Sequence, residues 1–235
     1  MNGELRALGL AHGLLLGLLL ASPMVAPGLL PWGIDALLLV GGFELRLADR
    51  RFTLRPGVRD WFSHIRMAPA RLIRWVAAAV VALIAGRADL AIAIMLAALA
   101  CELLAYPLGT LLFCRRTLPA TVAILMLLIA AAGLPGPAML HLVASFLAGV
   151  MACMVWLRGP DGEPRTLAIA LGGGLSAAAT ALYFPEARPF AAPGFTICML
   201  WTLAHLSVLR RPIMPWHLSG APVRPLSTVL RLLRP

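Results

Sequence analysis

The chain contains no lysine, so its 20 basic side chains are all arginine. Charge of any kind is scarce, at 13% of 235 residues. A soluble domain carries about 25% charged residues, so this chain has too little charge to coat an ordinary water-facing surface. It has no polar stretch long enough to fold as a separate catalytic domain. Its four cysteines, Cys101, Cys114, Cys153 and Cys198, lie in apolar runs without Cys-x-x-Cys spacing or a histidine paired nearby. They read as small buried hydrophobes, and no metal site is expected.

What fills the chain is hydrocarbon: 61% of residues are hydrophobic and the mean hydropathy is +0.90. A helix crosses a bilayer with about 20 apolar residues. The composition therefore predicts an all-α, polytopic transmembrane bundle of about eight spans. A net charge of +10 would suit nucleic acid, since neutralised phosphates drive such binding. Here the arginines sit between apolar runs and at the C-terminus, where they orient spans and attract anionic headgroups, so membrane lipid is the expected partner and nucleic acid is not.

One long polar passage interrupts the chain. From Glu44 to Trp75 it holds Arg46, Arg50, Arg51, Arg55, Arg59, Arg66, Arg71 and Arg74 against Glu44, Asp49 and Asp60. This is the composition of a loop kept on the cytoplasmic side. It divides an N-terminal two-helix hairpin (1–47) from a basic loop (48–68), a six-helix bundle (69–209) and a basic tail (210–235). Within the loop, Val58, Trp61, Phe62 and Ile65 recur at helical spacing opposite Arg59, Asp60, Ser63 and Arg66, which predicts an interfacial amphipathic helix. Alternation over Leu45–Leu54 allows a small hairpin. In the tail, Leu226, Val229, Leu230 and Leu233 oppose Arg231 and Arg234, predicting a second interfacial helix. Arg50, Arg51, Arg55, Arg59, Arg231 and Arg234 are the candidate contacts to anionic lipid.

The expected spans are Ala7–Met24, Leu29–Leu47, Pro69–Gly86, Leu90–Cys114, Leu118–Ala132, Ala138–Leu157, Thr166–Phe184 and Phe195–Leu209. The first could instead be read as a signal peptide. In the second, Pro31 suits a first helical turn and Asp35 sits near a helix N-terminus. In the third, Arg71 and Arg74 are expected to snorkel. An even number of spans puts both termini on one side. Arg6, the arginines from 46 to 74, Arg115, Arg116, Arg158, Arg165, Arg210, Arg211 and those of the tail then fall inside. Only Arg87 and Arg188 fall outside. The expected setting is a bacterial-type inner membrane, N-in and C-in.

Ionisable groups inside a bilayer cost roughly 2.5 to 3.5 kcal/mol on insertion scales, so each is a candidate site. Glu102 heads the set. Tyr106 follows one turn on, and Pro107 cannot donate to the Leu103 carbonyl, so a kinked carboxylate–phenol–carbonyl cluster could bind a cation or relay a proton. The competing reading makes Glu102 structural glue between helices. Asp35, His141, Ser176 and His205 complete the polar candidates. No cofactor is predicted; a haem between His12 and His205, at matching depth, is the alternative to plain helix–helix hydrogen bonding. Gly9, Gly13 and Gly17, and Gly173 with Ala177, form small-residue strips for close helix packing, with other membrane subunits or a second copy as expected partners. The glycines at 172–174 could also unwind a transporter helix.

Gly174-Leu-Ser176-Ala177 and Ala204-His205 resemble fragments of the rhomboid intramembrane proteases, which would imply a serine–histidine dyad. Ala177 stands where that family has a second glycine, no glycine ladder follows His205, and Ser145 stands after His141 where the family has asparagine. The chain is not assigned to that family on these few residues. The sequence thus favours a small transporter or accessory subunit, with an intramembrane enzyme acting on a lipid or membrane peptide as the alternative.

Overall fold

The computed structural model describes residues 30–49, 58–84, 86–113, 116–134, 138–158 and 164–209. The Gly9–Gly17 strip, His12, the basic residues Arg50, Arg51 and Arg55, and the tail with Arg231 and Arg234 lie outside them; so does the Arg59 side chain. The described residues are helical, with no strand. The helices are α1 (Leu30–Ala48), α2 (Val58–Ile84), α3 (Ala88–Ala100), α4 (Tyr106–Phe113), α5 (Leu118–Gly133), α6 (Ala138–Arg158), α7 (Pro164–Tyr183) and α8 (Arg188–Leu209). A π-helical turn, Cys101–Ala105, joins α3 to α4, and a 3-10 turn, Pro185–Ala187, precedes α8.

Four segments are long and apolar enough to cross a membrane: Ala88–Thr110, Met139–Arg158, Arg165–Tyr183 and Pro185–Leu206. A further apolar helix, Leu118–Gly133, is shorter. Together they support a membrane-embedded helical bundle.

α1 is the centre of that bundle. Leu37, Leu38, Leu39, Val40 and Phe43 are all buried, so no face of the helix's middle is left open. It packs most extensively on α6 and also on α8; α5 lies against α6 and α8, α7 against α8, and α2 against α3. The close approach of α1 and α6 has a specific cause. A β-carbon on Gly42 would strike the Phe146 carbonyl, and one on Gly149 would strike the Leu39 carbonyl. Two glycines facing each other's backbone let these helices meet at a separation that larger residues forbid, gaining dispersion contacts that lipid cannot supply. α7, by contrast, is largely uncovered: Ile169, Leu175 and Leu182 are exposed, as hydrocarbon-facing residues should be.

Three boundaries differ from the sequence reading. α2 runs unbroken from Val58 through Pro69 to Ile84. The predicted interfacial segment is therefore the opening of the same helix whose span the sequence starts at Pro69. Leu45–Ala48 continue α1, which rules out the start of the small hairpin. Finally, α8 begins at Arg188 rather than Phe195. Pro189 falls in its first turn, where an N–H has no intrahelical partner to lose, and Pro193 removes only one bond further in.

Candidate functional site

The best-defined polar site forms where α2 meets the π turn. Pro107 lacks an N–H, and its ring crowds the carbonyl four residues back. The preceding turn widens, and the Tyr106 N–H bonds the Cys101 carbonyl five residues earlier. Such an insertion rotates the side chains around it relative to a regular helix. Glu102, in this turn, is buried.

Both of its carboxylate oxygens are taken. The Arg71 Nε donates to Oε2 at 2.9 Å, and the Trp75 Nε1 donates to Oε1 at 2.8 Å. Arg71 and Trp75 are one turn apart on α2, so a single helix face supplies both donors. Gly41 of α1 makes room for the second: a β-carbon there would stand 2.6 Å from the Trp75 ring. Arg71, expected to snorkel to the interface, instead turns inward with its side chain only 14% exposed.

Tyr106 does not join Glu102. Its hydroxyl donates to Asp49 Oδ2 at 2.6 Å, linking α4 to the end of α1, with Arg46 alongside. Thr110 Oγ1 lies 2.9 Å from the carbonyls of both Tyr106 and Pro107, where it turns back on its own helix. The carboxylate–phenol–carbonyl cluster expected from the sequence is thus two separate contacts. The charge of this buried carboxylate is already balanced by the Arg71 guanidinium, which favours the structural reading of Glu102.

Asp35 and His141 meet at the other end of the bundle, with Oδ1 and Nδ1 3.0 Å apart. Ser145, one turn further along α6, has its hydroxyl enclosed beside the same carboxylate but outside hydrogen-bond geometry. His205 makes a third, independent contact. Trp156 Nε1 donates to its Nδ1 at 3.2 Å, and the two rings pack edge-on at 6.4 Å. Because Nδ1 accepts, the ring proton sits on Nε2. Its Nε2 is buried and has no hydrogen-bond partner. Among the described residues, no group of three or more His, Cys, Asp or Glu side chains is placed to hold a metal ion.

Ser176 is exposed, and its Oγ donates to the Gly173 carbonyl of its own helix at 2.9 Å. Gly173 packs on Cys198, where a β-carbon would lie 3.1 Å from Sγ. From that crossing Ser176 lies one turn toward one end of the bundle and His205 two turns toward the other. This puts them on the order of 15 Å apart along the axis, too far for a dyad. Helix α7 stays wound through Gly172–Gly174. Ala177, partly buried beside these positions, completes the small-residue strip.

The sequence does not single out the partners Arg71, Trp75 and Asp49, or the glycines at 41, 42 and 149. The one signal for a pairing was depth: Asp35 and His141 both fall near the start of their expected spans, whereas Arg71 is expected at an interface and Glu102 in mid-span. Comparison with protein-family models, with curated proteins and with solved structures finds no match to this chain.

Proposed function

We propose that the chain is an accessory or scaffold subunit of a larger membrane assembly, threaded eight times through a bacterial-type inner membrane with both termini in the cytoplasm. The observation that carries this reading is the dispersal of the polar candidates. Glu102 is held by Arg71 and Trp75, Tyr106 by Asp49, Asp35 by His141, and His205 by Trp156. A transport pathway or an active site needs reactive groups that converge on one place. Here each is taken up by a different neighbour, and each joins a different pair of helices. That is how polar side chains fix a helix arrangement where apolar packing alone does not discriminate.

Purification in mild detergent followed by native mass measurement tests the proposal. A second chain, or a second copy of this one, at fixed stoichiometry is expected. A solitary chain that moves a solute in proteoliposomes, with the flux lost in Glu102→Gln, would replace the scaffold reading with that of a small transporter.

A further inference from the structure

We propose that Asp35 and His141 form a proton-binding site at the end of the bundle opposite Asp49 and Arg158. Three observations converge there. Asp35 is buried, with a side chain 12% exposed, whereas His141 is 30% exposed and so stands between the carboxylate and the surroundings. The two atoms that meet, Oδ1 and Nδ1, are 3.0 Å apart and belong to α1 and α6, the pair locked together by Gly42 and Gly149. Ser145 adds an enclosed hydroxyl beside the carboxylate that has no hydrogen-bond partner of its own.

No other described ionisable group competes for this place. Within α5 there is no ionisable residue. Arg188, at the start of α8, donates to the Ala181 carbonyl, and Arg87 pairs with Asp89 at the start of α3. Glu186 is exposed on the 3-10 turn, and His205 lies near the far end of α8. His141 is the titratable neighbour that acts on Asp35.

A buried carboxylate is tolerated while a cation faces it, and it becomes costly when that cation is discharged. Imidazole changes charge in the physiological range, so proton loss from His141 leaves the α1–α6 crossing holding an anion against a neutral ring. The Ser145 hydroxyl can then turn toward the carboxylate, replacing part of what is lost. The site therefore couples the tightest helix contact to the proton activity on its own side of the membrane. That this side is external rests on the threading proposed above; the chemistry does not.

The test uses the full chain in detergent, where both ends meet one buffer, so its result is independent of that threading. Thermal unfolding is followed between about pH 6 and pH 8 for the wild type and Asp35→Asn. The wild-type Tm should fall by about 3 °C more than that of the variant, because the variant's neutral amide leaves no charge to strand. Equal falls in the two proteins overturn the proposal. Should Asp35→Asn fail to fold, the imidazole nitrogen signals of isotope-labelled wild-type protein decide, with the His141 signal assigned through His141→Gln. A His141 signal that reports proton exchange over this range supports the site; one that stays constant sinks it.

Discussion

At the scale of single residues, Glu102 and Asp35 follow one rule: each enclosed carboxylate has a basic side chain beside it. Glu102 shows the rule most fully, since removing Arg71 strands a carboxylate that the helices have enclosed. Arg71→Met should therefore destabilise the protein by about 3–5 kcal/mol, the range for breaking a buried pair from one side. Arg71→Met combined with Glu102→Gln should cost clearly less than the sum of the two single changes, because the second change removes the stranded charge. Unfolding in mixed micelles with a graded denaturing detergent measures all three; additive losses would mean that the pair is not coupled. Glu102 was legible as a site because a carboxylate in an apolar run must be explained. Its partners were not legible, because Arg71 and Trp75 are 31 and 27 residues away and one of them has the sequence setting of an interfacial arginine.

At the scale of the helix, the apolar helices could be read from length and apolarity, and most ends of the described ones fall within two or three residues of their expected places. Proline misleads as punctuation here. Pro69 and Pro193 lie inside α2 and α8, because neighbouring packing in a bundle outweighs the loss of one backbone bond. Polarity misleads in α1. The Asp, Glu and Arg that make Leu29–Leu47 a poor lipid-facing span are what suits it to the centre, where protein rather than lipid surrounds it. The glycines sharpen the point, since three of them look alike in sequence and differ in consequence. Gly42→Ala and Gly149→Ala each drive a methyl into a backbone carbonyl of the opposing helix and should prevent a stable fold. Gly172→Ala meets nothing within 4 Å, and it should be neutral or stabilising by up to about 1 kcal/mol, the helix-propensity difference. Fluorescence-detected size exclusion after stepwise heating ranks the three, and an intact Gly149→Ala protein would show that the α1–α6 crossing is looser than its geometry implies.

At the scale of the whole molecule, the proposed threading has a consistency that no single helix provides. Several long-range polar contacts join groups that it assigns to one end: Asp35 with His141 toward one, and Arg158 with the Arg116 carbonyl and Trp156 with His205 toward the other. Contacts fix only that the helices alternate in direction, so the sign of the orientation must come from charge. The proposed threading gathers the arginines at the end that holds Asp49, Arg116 and Arg158, and translocating that end would carry a large positive load across the membrane. The end with Leu134 and Arg188 carries far less. A reporter fused after Pro235 should thus read cytoplasmic, and one inserted at Leu134 should read external. Exchanging Arg50, Arg51, Arg55 and Arg59 for Gln should weaken that preference, giving a mixed population at the Leu134 site while the contacts within the bundle persist. If both reporters reverse in the unaltered chain, the helical arrangement stands but its orientation does not, and the Asp35–His141 pair would then face the cytoplasm.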